Sequence, residues 1–205
     1  MAVFITLNVA FRTFLSVQIA TAAAILFAAW KIFRPNFYVH NLTEFFIYGG
    51  LAAIFVPVLN VFSIIMLLLF ISAYDAYAVW KSKHMIELAK FQTKSNMFAG
   101  VIIPYKLPSF KAHKNAPKQK VRTAILGGGD IGFPLLFAGV MLKELLISNS
   151  VMLAFEKVLI IPIFATASLG WLLYKADQNK FYPAMPFISA GCLLAFAVMH
   201  FVGFL

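Results

Sequence analysis

The sequence predicts an all-α fold, a polytopic bundle of six transmembrane spans. Three observations carry that expectation. First, of 205 residues 62% are hydrophobic and 12% charged, with mean hydropathy +0.89. Soluble domains carry a charged fraction of about 25%, so most of this surface is suited to lipid. Second, apolar runs near the length of about 20 residues needed to cross a bilayer recur along the whole chain. Third, the net charge of +10 is concentrated in the connections between those runs, the pattern of membrane topology rather than of a nucleic-acid surface.

The first run covers residues 3–30, interrupted by Arg12, and reads as one tilted helix or as a helix with an interfacial start. A basic connection with Lys31 and Arg34 follows, and Pro35 stops helix continuation. The second run, 42–59, contains Gly49, Gly50 and Pro57 and is expected to be irregular near its end. Asn60 turns the chain into the third run, 61–80, apolar except for Asp75 and flanking tyrosines Tyr74 and Tyr77. Residues 81–122 form a basic loop whose one acid is Glu87. Within it, Lys81–Asn96 is expected as an interfacial amphipathic helix, Val101–Ile103 as a strand and Pro108–Pro117 as a tether. The fourth run, 124–147, opens on Gly127, Gly128, Gly129 and Asp130. The fifth, 151–174, has a kink position at Pro162, and the last, 183–204, opens on Pro183-Ala184-Met185-Pro186. All belong to one membrane domain spanning 1–205, with no internal repeat.

Loop charge orients this set. Lys31/Arg34, the 81–122 loop and Lys175/Lys180 fall on one side of six alternating spans. The opposite side has the uncharged Pro57–Val61 turn and the balanced Lys143/Glu144/Glu156/Lys157 group. The basic side is therefore expected to be cytoplasmic. Asp75 lies about 7 Å from that end of its helix, and Asp130 at most about 12 Å in from Arg122. The Pro183 segment enters from the same side, so three unusual features share one depth.

An ionised carboxylate in hydrocarbon costs roughly 2.5–3.5 kcal/mol even on lenient insertion scales, so each aspartate calls for a reason. Two neighbouring carboxylates cannot both ionise cheaply. They share a proton, one serving as base toward water while the other protonates a carbonyl. Glycines beside one of them permit close approach of backbone or of an extended peptide. Other chemistries find no support: His-Glu-x-x-His is missing, so no metal site is expected, and no Gly-x-Ser-x-Gly turn presents a serine nucleophile. Cys192 stands alone in an apolar run and reads as a packing residue.

Tyr74-Asp75 resembles the YD motif of presenilins and signal peptide peptidases, Gly127–Asp130 resembles their GxGD motif, and Pro183-Ala184-Met185 is similar to their PAL motif with Met in place of Leu. Order, host spans and the long hydrophilic loop between the aspartates also match. The resemblance implies an intramembrane aspartyl protease of an archaeal-type presenilin homologue, its six spans corresponding to spans four to nine of a nine-span family, with the first three apparently missing. It implies Asp75 and Asp130 as catalytic residues. Tyr74, Gly127, Gly128, Gly129, Pro183, Ala184 and Met185 would be motif or substrate-positioning residues. It further implies no cofactor, transmembrane helical proteins as substrates, contact with membrane lipid, no nucleic acid, and a multi-pass location in the cell membrane, and it leaves homo-oligomerisation open. Two alternatives remain at this stage. Prepilin peptidases also combine membrane aspartates with GxGD, normally followed by Lys where this chain has Ile131. A transporter or ion-leak channel would use the aspartates as cation sites. A further expectation is that Val101–Ile103 or Thr123–Leu126 offers an edge to which an unwound substrate adds as a strand.

Overall fold

The structure, a computed structural model, describes residues 1–33, 37–81, 100–104, 123–175 and 182–203. In chain order the elements are α1 (Ala2–Arg12), α2 (Val17–Phe33), α3 (Phe37–Phe55), α4 (Val61–Trp80), β1 (Gly100–Pro104), β2 (Thr123–Gly127), α5 (Gly128–Ser148), α6 (Val151–Val158), α7 (Ile160–Lys175) and α8 (Met185–Phe201). Among the described residues the fold is a helical bundle carrying one two-stranded antiparallel sheet. Among the described residues three helical stretches are long and apolar enough to cross a membrane: Val61–Trp80, Gly128–Ser148 and Val151–Lys175. The expected Lys81–Asn96 helix and Pro108–Pro117 tether lie outside the described residues.

Several boundaries differ from the apolar runs, each for a local reason. Residues 3–30 form two helices rather than one. The chain turns at Thr13–Ser16, where the Phe14 and Leu15 N–H groups both bond the Phe11 carbonyl and the Thr13 hydroxyl donates to Ala10. α1 then folds against both α2 and α3, with the Phe11 ring tilted against Phe27 and Phe46 at centroid separations of 5.6 and 4.9 Å. α3 starts at Phe37, ahead of the apolar run, and ends before Pro57 as expected of a residue that cannot continue a helix. The 124–147 run opens in strand rather than helix, so that α5 begins only at Gly128. Residues 151–174 divide at Leu159. Pro162 then falls in the first turn of α7, where its missing N–H leaves no intrahelical bond unmade.

Two apolar clusters hold the bundle. The larger joins α4, α5, α6, α7 and α8, with Ile64, Leu68, Phe137, Met141, Ile188 and Cys192 fully buried. The smaller joins α1, α2 and α3 around Leu7, Phe11, Ala20 and Ala24. α3 bridges them through contacts with α5 and β1. On α5, Lys143 Nζ reaches over to carbonyls just past the end of α3, including Leu59 O at 2.9 Å. In the sheet, β1 and β2 pair with each other in the register Gly100↔Gly127 and Ile102↔Ile125. The two segments expected as edges for a substrate thus each already spend one edge on the other. His40 of α3 ties the sheet down through a 3.0 Å bond between its Nε2 and the Gly100 carbonyl.

Candidate active site

Three helix ends converge where α4, α5 and α8 meet. Asp75 lies in the fifth turn of α4 on the face that packs on α8, and it is only 5% exposed. The apolar stripe Ile64–Leu68 continues into it at helical spacing, so the helix face that builds the core also carries the acid. Asp75 Oδ2 accepts from the Met185 N–H at 3.0 Å, and the Ala184 N–H is also within reach. Both donors belong to the start of α8, where the first N–H groups of a helix have no intrahelical partner. Pro186 at the opening turn, and buried Pro183 just ahead of it, fix the chain direction there.

Asp130 occupies the first turn of α5, three residues after the N-cap Gly127. Its carboxylate folds back toward the Gly127 backbone N–H, the acidic half of a capping box. A side chain at 127 would be crowded, because its Cβ would stand 3.1 Å from Asp130 Oδ2. An added methyl there would press on the carboxylate, which would have to give by a few tenths of an ångström. The carboxylates of Asp75 and Asp130 are near enough to interact electrostatically, although 55 positions separate them along the chain (130 minus 75). Among the described residues neither has a cation within ion-pair distance. A half-open cleft of about 260 Å³ extends from Asp130 between α5 and α7, lined by Leu126, Pro134, Ala138, Ala165 and Ile188 among others.

The structure therefore gathers Asp75, Asp130, Gly127, Ala184 and Met185 into one site, with Pro183 buried immediately beside it. Gly128 starts α5 and Gly129 is exposed in its first turn. Tyr74 is not gathered in: one residue round the helix from Asp75, its side chain is 64% exposed. Sequence reasoning missed Ser72 and Ser189. Their hydroxyls meet at 2.7 Å one turn away from the Asp75–Met185 bond. The available signal was a serine one helical turn from each motif residue, inside an otherwise apolar stripe.

Comparison with known proteins gives this geometry a family. No individually curated protein matches the sequence. A solved structure of a presenilin family intramembrane aspartate protease superimposes with a TM-score of 0.62 at 22% identity, covering 96% of this chain and 70% of that one. The shared helical membrane fold and the long apolar helices make this an integral membrane protein. Residues 1–204 match the family described as signal-peptide peptidase, presenilin aspartyl protease, and the chain belongs to that family.

Proposed function

We infer that the protein hydrolyses peptide bonds of transmembrane proteins, with Asp75 and Asp130 as its acid–base pair. One observation supports this above the others. Two carboxylates from separate helices lie within electrostatic reach of each other, and among the described residues neither is in an ion pair. An intramembrane carboxylate has no better physical reason to persist than chemistry or transport.

In this reading the ionised member of the pair removes a proton from water, and the resulting hydroxide adds to the scissile carbonyl carbon. The protonated member gives its proton to the carbonyl oxygen, forming a gem-diol. One carboxyl then gives its proton to the amide nitrogen while the other carboxylate takes a proton from a gem-diol hydroxyl, so that the C–N bond breaks, acid and amine are released, and the pair again holds one proton. Titration belongs to the dyad, so neither role is fixed to one residue in the resting enzyme. The Ala184 and Met185 N–H groups orient the Asp75 carboxylate, and Gly127 leaves room for that of Asp130. Gly128, Gly129 and the Pro183 turn keep backbone close to the pair, and exposed Tyr74 is available to a substrate helix lying alongside α4. The substrate must be unwound before attack, because helical carbonyls are already bonded. The outer edge of the β1–β2 sheet is suited to receive it as a strand. The basic connections support a cytoplasmic position for this end of the bundle in the cell membrane.

Cleavage of a reporter transmembrane protein by the purified chain tests the reading. Activity abolished by Asp75→Ala and by Asp130→Ala, and by inhibitors that mimic the gem-diol, is the expected result. Ion flux without any proteolysis would replace it with the channel reading. Unchanged cleavage by Ile125→Pro would remove strand addition and leave the dyad intact.

A further inference from the structure

α4 and α8 meet along an apolar seam. From α4 come fully buried Ile64 and Leu68, and from α8 Ile188, Cys192, Ala195 and Met199, each exposed by 1% or less. Each helix places one hydroxyl in this seam, and the two hydroxyls bond each other: Ser72 Oγ donates to Ser189 Oγ at 2.7 Å. Ser189 is 2% exposed, so water does not compete for it. Ser72 Oγ also lies 3.4 Å from the Met185 carbonyl oxygen.

The placement relative to the dyad is specific. Ser72 precedes Asp75 by three residues, and Ser189 follows Met185 by four, so each serine shares a helix face with the group that makes the Asp75–Met185 bond. The helices are joined by two rungs one turn apart. One rung is carboxylate to N–H, the other hydroxyl to hydroxyl. Between them Met185 is approached from both sides, its N–H by Asp75 and its carbonyl by Ser72.

Apolar ridges set a crossing angle but tolerate small axial slides, since dispersion contacts are re-made at the new position. A 2.7 Å hydroxyl bond does not tolerate them, because its strength falls steeply with distance and angle. A single rung at Asp75 would fix α8 to α4 at one polar point, leaving small pivots of the Met185 N–H against the carboxylate even with α8 held on α7 by the Ser168–Phe187 bond. The second rung removes that freedom.

We propose that Ser72 and Ser189 are positioning residues for peptide-bond cleavage, fixing the axial register of α8 on α4 so that the Met185 N–H holds the Asp75 carboxylate in its working orientation. This rests on the protease reading above. Misplacing a reacting group by about 1 Å lowers turnover by roughly 100-fold, so a partly loosened register is expected to cost between about 10- and 100-fold.

The experiment compares Ser72→Thr with Ser72→Val in the full chain, two side chains of equal shape that differ in the hydroxyl. Ser72→Ala, Ser189→Ala and their double variant are measured beside them. Steady-state cleavage of a reporter transmembrane protein is the readout, with Asp75→Asn as the inactive reference. The expected result is kcat near the parent value for Ser72→Thr and lower by roughly 10-fold or more for Ser72→Val, with KM within about twofold in both. The double alanine variant is expected to be no slower than either single one, since both lose the same bond. Equal kcat for Ser72→Thr and Ser72→Val, or alanine effects that multiply in the double variant, would overturn the proposal and leave the dyad standing. Cleavage that persists in Asp75→Asn would instead overturn the protease reading beneath it.

Discussion

Glu44 in the α1–α3 cluster and Asp75 in the α4–α8 cluster are both buried carboxylates, 4% and 5% exposed. Their surroundings differ in kind. Glu44 Oε1 is met by Lys31 Nζ at 2.5 Å and faced by His40 Nε2 at 3.9 Å. Asp75 accepts from backbone N–H groups of α8 and lies within electrostatic reach of a second carboxylate. A carboxylate bound to an ammonium is committed to one charge state, since protonation would leave the cation buried alone. A carboxylate held by N–H groups beside another acid keeps its orientation whichever of the two carries the proton. The first arrangement fastens helices together; the second leaves a proton free to be used. Position within the bundle does not separate the two acids, but the identity of the partner does.

Neutralising each acid without changing its shape has the largest expected effect. Asp75→Asn or Asp130→Asn is expected to lower cleavage by roughly 10²–10⁴-fold or more, the range attributable to acid–base catalysis, with the fold retained. Glu44→Gln should leave turnover by the folded fraction within the same order of magnitude and instead lower stability. Steady-state cleavage measured together with thermal unfolding in detergent distinguishes them. If Glu44→Gln proved as inactive as Asp75→Asn with its melting unchanged, the division of labour between the two clusters would fail.

The pair that fastens α2 to α3 gives the next largest effect. Removing one partner of a buried ion pair is destabilising by about 3–5 kcal/mol, because the remaining charge is left uncompensated. Lys31→Met is therefore expected to destabilise by about that amount, and Lys31→Met/Glu44→Leu to recover most of the loss. Chemical unfolding of the two variants checks this, and a double variant no more stable than the single one would show that the pair holds more than itself together.

The two clusters also differ in how far their sequences announced them. Asp75 and Asp130 stood out because a charge in an apolar run is expensive, and the glycines and prolines beside them mark backbone turns by their chemistry. Lys31 was readable as a topological charge but not as the partner of Glu44, since that pairing requires α2 and α3 to fold back antiparallel. The turn at Thr13–Ser16 was equally hidden: Arg12 is a single charge that one tilted helix accommodates as well as a break. Ser72 and Ser189 were invisible for the opposite reason. Serines are ordinary in membrane helices, and what distinguishes these two is a contact 117 residues apart in the chain. Local chemistry was readable from local sequence; pairings between distant helices were not.

Close backbone approach separates the clusters again. Where α1 crosses α3, a Cβ at Gly50 would stand 1.9 Å from the carbonyl oxygen of Thr6, a backbone atom that cannot swing aside. Gly50→Ala must therefore push α1 away from α3, at a cost of about 1–3 kcal/mol as overpacking generally exacts. The strain lies in the cluster without the dyad, so cleavage per folded molecule should hold while the melting temperature falls. A parallel loss of turnover would mean that α1 reports to the active site through the α3–β1 contact.

The smallest expected effect tests the bridge between the clusters. Lys143 Nζ donates to Leu59 O at 2.9 Å and lies 3.4 Å from Pro57 O and 3.5 Å from Val56 O. These carbonyls follow the end of α3, where the last turn of a helix has no N–H to satisfy it and a cation is favoured by the helix dipole. Lys143→Met keeps the stem length of the side chain and removes only the charge and its donors. Because Lys143 is partly exposed, water can replace part of what is lost, and the expected destabilisation is about 1 kcal/mol. Placed in the Lys31→Met background, the same change should simply add, since the two sites share no partner. A combined loss well above the sum would show that the α3–α5 bridge and the α2–α3 ion pair brace the same movement of α3, and that the two clusters are held as one.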